Sequence, residues 1–174
     1  VQNRIITPIV RKHIITYGYP KTIPEKMLVE LVELDWQSLQ HIKYQTENIC
    51  IVAIMSNPKA IQYVLKPTLK LCELAISKSS NVFPLIPEQF QTQNICECVL
   101  KRNSHMIQHM PQTSTLCRLA IENNSTSILY IKDQTSELCK LIIEKNGLNI
   151  QYIKNQTPEL CRLAIIKDIR SIQY

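Results

Sequence analysis

Glycine is almost missing from this chain: only Gly18 and Gly147 occur in 174 residues. Tight hairpins and loops that cradle phosphate both draw on glycine, so its scarcity disfavours hairpin-built sheets and Gly-rich nucleotide sites. An all-α protein is expected. Long apolar runs are missing too, and none approaches the roughly 20 residues that span a bilayer. No membrane association is expected. Nor does the chain open on a charged stretch, an apolar segment and a small-residue cleavage site, so it reads as intracellular. Acid is absent from the first 21 residues, where Arg4, Arg11, Lys12 and Lys21 supply +4 of the net +6. From residue 22 onward 16 basic and 14 acidic residues nearly balance. Any affinity for polyanions is therefore expected in residues 1–22, which read as a basic lead-in or a degenerate repeat.

What is present in quantity is cysteine at a fixed period. Six of the seven cysteines fall at positions 50, 72, 96, 117, 139 and 161. Four residues before each stands a threonine: Thr46, Thr68, Thr92, Thr113, Thr135 and Thr157. Seven residues after each stands Asn57, Ser79, Asn103, Asn124, Asn146 or Asp168. Both positions hold only residues whose short side-chain oxygens cap helix N-termini. Two helices per repeat follow. Pro158 suits a first helical position, and Glu137 and Glu159 suit the positive end of a helix dipole.

With the cysteine as zero, helix A is predicted from −3 to +5, with apolar residues at −1, 0, +2, +3 and +4. In one copy these are Leu138, Cys139, Leu141, Ile142 and Ile143. They cover about 200° of the helical wheel, wide enough to pack against a partner helix and both neighbouring repeats. Helix B is predicted from +8 to +15, with Ile150 and Ile153 as its apolar residues, and Tyr63, Tyr130, Tyr152 or Tyr174 recurring at +13. A copy without cysteine comes first, with Leu28 at zero and Asp35 as second cap. Residues 23–174 are thus expected to form a right-handed α-solenoid of about seven 22-residue helix-turn-helix repeats. Pro84 and Pro87 predict an irregularity over Asn81–Phe90. Trp36 is expected to pack on the lead-in. Because the chain starts at Val1 and stops at Tyr174 in mid-pattern, with Leu163, Ala164 and Ile165 expected to be uncovered, a longer protein or self-association is anticipated.

The wording Thr-Pro-Glu-Leu-Cys, then Lys-Asn-Gly, an apolar-Gln-Tyr-apolar-Lys segment and again Gln-Thr-Pro-Glu resembles a known short helical repeat. It is catalogued as domain of unknown function 4116, found in large amoeba-infecting DNA viruses and some bacteria. The resemblance covers about residues 23 to 174 and is sharpest over 113–174. It implies a helical array of viral or bacterial source, placed in the host cytoplasm or the virion if viral. It implies no catalytic residues.

Cys50, Cys72, Cys96, Cys117, Cys139 and Cys161 are read as structural. One cysteine per repeat puts successive thiols on successive helices, about 8 to 10 Å apart, beyond the reach of a disulfide. The competing zinc set would be Cys96, Cys98, His105 and His109, whose softness suits the metal but whose spacing matches no standard finger. No metal or other cofactor is expected. Arg118, Lys140 and Arg162 recur at +1, and Lys43, Lys132 and Lys154 at +15, as candidate binding residues. Such ladders can track phosphates. The favoured reading is solvated ion pairs, with Glu137 facing Lys140 and Glu159 facing Arg162 three residues on. No Gly-rich loop, placed nucleophile or paired carboxylates point to catalysis. The expected function is a non-catalytic scaffold that binds a partner protein along an extended surface. The alternatives are a structural part of a virion or assembly and, less favoured, a nucleic-acid-binding repeat protein.

Overall fold

The structure is a computed structural model, and it describes residues 23–174. The expected lead-in, with Arg4, Arg11, Lys12 and Lys21, lies outside the described residues. Among the described residues every element is helical and there is no strand. The α-helices are α1 (Glu25–Leu34), α2 (Glu47–Ser56), α3 (Leu69–Lys78), α4 (Gln93–Arg102), α5 (Ser114–Asn123), α6 (Ser136–Lys145) and α7 (Pro158–Lys167). The described residues divide into two compact units, one ending at Gln91 and the other Thr92–Tyr174.

Each α-helix from α2 to α7 begins because a threonine hydroxyl takes up an otherwise unpaired first-turn amide. Thr46 accepts from Ile49 N, Thr113 from Leu116 N, and Thr135 from Leu138 N. Each helix ends on an extended residue that starts the next element. Asn146, at φ −161° and ψ 124°, closes α6, and its side chain accepts from Leu148 N. One residue thus serves as C-cap and N-cap.

The second element is not the α-helix expected from +8 to +15. It is a six-residue 3₁₀ helix in most places: Trp36–His41, Pro58–Tyr63, Ser80–Leu85, Ser104–His109, Ser125–Tyr130 and Gly147–Tyr152. The last, Ile169–Gln173, has five residues. The tighter helix rises about 2.0 Å per residue against about 1.5 Å. Six residues therefore span about 12 Å and ten α-helical residues about 15 Å, so the two elements lie against each other at similar length. The chain then leaves through an extended residue such as Ile153, which is buried. Around Pro84 and Pro87 an additional 3₁₀ turn, Glu88–Phe90, takes up the two extra residues.

In the first unit α1 packs on α2 and α2 on α3, while Trp36–His41 packs on Pro58–Tyr63 and that on Ser80–Leu85. In the second unit α4 to α7 pack in sequence, as do the four 3₁₀ helices. Each unit thus has an α layer and a 3₁₀ layer with the core between. Helices α2 to α6 bury −1, 0, +3 and +4, as in Leu116, Cys117, Ala120 and Ile121. The +2 residues Val52, Leu74, Leu119 and Leu141 are half-buried, and Cys98 is exposed. At 100° per residue the buried arc is about 140°, narrower than the arc expected from sequence. Trp36 stacks on Tyr63 with ring centroids 5.8 Å apart. Its expected contact with the lead-in falls outside the described residues.

Candidate functional site

The cysteines face inward. Cys50, Cys72, Cys96, Cys117 and Cys139 are buried, Cys161 is half-buried, and all seven cysteines are free thiols. Burial pushes the thiols of the five buried residues up, to about 11 at Cys72, where Glu73 adds repulsion. A thiol held protonated is a poor nucleophile.

The four residues of the zinc alternative are not brought together. Cys96 is buried while Cys98 on the same helix is exposed, and no cluster of three or more potential ligands exists among the described residues. His105 is otherwise engaged. Its Nε2 lies 3.1 Å from Thr126 Oγ1, and Thr126 Oγ1 donates to Asn124 Oδ1 at 2.8 Å. With that hydroxyl proton directed at Asn124, the Nε2–H tautomer of His105 is the one that suits Thr126 Oγ1. The ring also rests on Tyr130, with centroids 4.8 Å apart.

The basic residues Arg118, Lys140, Arg162, Lys43, Lys132 and Lys154 are all exposed. Their ion pairs run between helices rather than along them, which corrects the expected spacing of three. Arg118 on α5 pairs with Glu137 on α6. Glu159 on α7 has its carboxyl held low by the backbone amides of the first turn, then by Thr157, and in smaller part by Lys140 on α6. In the first unit Lys70 pairs with Glu47 at 2.8 Å. Helices packed side by side bring these ends closer than the long side chains choose within one helix.

A row of glutamines, which the sequence reading passed over, organises this edge. Gln134 Nε2 donates to the carbonyls of Ile128 (3.0 Å) and Tyr152 (3.4 Å), and its Oε1 accepts from Lys154 N at 2.8 Å. Gln112 does the same with Ile107 O, Tyr130 O and Lys132 N. Gln45 repeats it with Leu39 O, Tyr63 O and Leu65 N. One amide thus joins the ends of two consecutive 3₁₀ helices and fixes the backbone of the residue beyond. The available signal was glutamine five residues before the cysteine, at 45, 91, 112, 134 and 156, with Pro67 as the exception.

Beside the Gln45 and Gln112 bridges lies a groove at the α-helix N-termini. In the first unit it measures about 330 Å³ and is lined by Lys43, Tyr44, Glu47, Cys50, Leu65 and Lys66 among others. In the second unit the equivalent place holds grooves of about 440 and 350 Å³ that share Gln112, Cys117 and Asp133. No helix of the described residues is long and apolar enough to cross a membrane. Comparison with protein-family models, curated proteins and solved structures gave no match.

Proposed function

We propose that the protein is a non-catalytic scaffold, a right-handed α-solenoid of stacked modules, that binds a partner protein along the edge where the α-helices begin. Each module is an α-helix and a 3₁₀ helix. The carrying observation is that a groove recurs beside the glutamine bridge in both units, rimmed by exposed side chains on a backbone that the bridge holds in place. A preorganised surface loses little entropy on binding, which favours recognition by contacts made along it. The five buried thiols fit this reading, because burial keeps them protonated and poorly nucleophilic. The test is affinity capture with the tagged chain from its source cells, with and without nuclease, followed by mass spectrometry. A partner retained after nuclease treatment is expected. Loss of everything captured on nuclease treatment overturns the protein-partner reading and leaves nucleic acid.

A further inference from the structure

We infer that the groove of the first unit takes an acidic partner segment carrying large apolar side chains. This rests on the scaffold reading and names the partner's chemistry. Two features of the groove carry it, one apolar and one electrostatic.

Tyr44, Leu65 and Leu69 are 58%, 62% and 42% exposed, and Tyr44 and Leu65 form the rim of a groove whose floor is Cys50, Val64 and Leu71. Large apolar side chains exposed together, next to a concavity, mark an interaction surface, whereas scattered ones do not. The groove's volume of about 330 Å³ is room for roughly ten waters. Replacing them with an apolar side chain removes both surfaces from water.

The lining charge is net basic, although the Glu25 carboxylate accepts from the lining Thr46 hydroxyl at 2.6 Å. Glu47 is the groove's sole lining carboxylate, and Lys70 pairs with it at 2.8 Å. Lys43 and Lys66 remain on the rim, the former with its ammonium 5.6 Å from the centroid of the Tyr44 ring. An acidic segment is drawn to such a rim, and a basic one is repelled.

The second unit supplies the contrast. Its grooves have the same glutamine and the same cysteine, but their large apolar residues Met110, Ile131 and Leu138 are buried, and their rim balances Lys132 and Arg118 against Asp133 and Glu137. The same backbone geometry thus carries a charge-balanced and less apolar rim there, and the acidic apolar segment is expected to choose the first unit.

The probe is a fluorescein-labelled peptide alternating glutamate and leucine, titrated with the full chain and read by anisotropy. Two matched peptides carry lysine for glutamate or serine for leucine. Binding of the acidic apolar peptide is expected, with each matched peptide weaker by about tenfold or more. Lys43→Glu with Lys66→Glu, and separately Leu65→Asp, are expected to weaken it by a similar factor, and Lys167→Glu in the second unit to leave it unchanged. Circular dichroism checks that each variant is folded; if Leu65→Asp is not, Leu65→Ser takes its place. Absence of binding, equal binding of the lysine peptide, or indifference to all first-unit substitutions overturns the proposal. So does displacement of the peptide by a single-stranded oligonucleotide that loses affinity with the same substitutions. A partner protein captured equally by wild type and Leu65→Asp leaves the scaffold reading standing and overturns the groove.

Discussion

Ser127 is fully buried and its hydroxyl has no hydrogen-bond partner. Two equivalent residues of the first unit are Ala60 and Val82, also buried, so the site does not need an oxygen. A buried hydroxyl without a partner forfeits its hydration. Ser127→Ala is therefore expected to raise stability by about 1 kcal/mol, read as a higher midpoint in urea. The cysteines make a kinetic prediction at the same scale. Cys98 is exposed and the five ladder residues from Cys50 to Cys139 are buried. A thiol reagent near neutral pH is expected to modify Cys98 fast and those five only as the protein opens. They also set an alkaline limit. Their folded-state pKa stands above the ordinary value near 9, reaching about 11 at Cys72. The folded state therefore holds protons that the unfolded state has released. The contribution is fully present below pH 9 and is lost as pH rises towards 11. Urea midpoints should fall through that window, and less so in Cys72→Ala.

At the scale of elements the decisive side chain is the bridging glutamine. Gln134 makes three hydrogen bonds to three backbone groups. Gln134→Ala removes all of them, while the Ile128 carbonyl keeps its bond from Ile131 N, so a loss of roughly 1 to 3 kcal/mol is expected. Gln134→Glu should cost at least as much at pH 7, because an ionised carboxylate cannot donate and faces two carbonyls. It should recover partly near pH 4, where a protonated carboxyl can donate once. Gly147→Ala is a second element-scale test. An added Cβ would lie 2.5 Å from the carbonyl oxygen of Ala164 and 3.0 Å from Asp168 N. Backbone must move, and a loss of about 1 to 3 kcal/mol is expected. These elements show what the sequence could express. The caps were legible because threonine and asparagine act through their own neighbours within three residues. The 3₁₀ helices were not, since over six residues the same cap and the same apolar pair suit either helix type. The glutamine bridge joins groups 6, 18 and 20 residues away, a geometry that exists only after the layers have packed. The ion pairs were misread for the same reason: spacing gives neighbours along a helix, but the partner of Arg118 sits on the next one.

For the molecule as a whole, most of the core is formed between consecutive segments rather than within one. Ile150 and Ile153 are 2% and 5% exposed. Their 3₁₀ helix, Gly147–Tyr152, packs against α7 and against Ile169–Gln173. A chain shortened to residues 1–154 loses that cover from the last 3₁₀ helix that remains. Uncovering two isoleucines costs roughly 3 to 6 kcal/mol at the usual 1.5 to 3 for each. At about 2 to 4 °C per kcal/mol for a chain of this size, the melting temperature should drop by roughly 10 °C or more. Nearest-neighbour coupling sets the form of that loss. Amide exchange should rise most along Gly147–Tyr152 and α6, less along α5, and little in the first unit. An unchanged melting temperature, or exchange raised evenly over every described residue, would mean that burial between consecutive segments does not govern stability. The scaffold reading would then lose its physical basis, since grooves held between segments need those segments to stay packed.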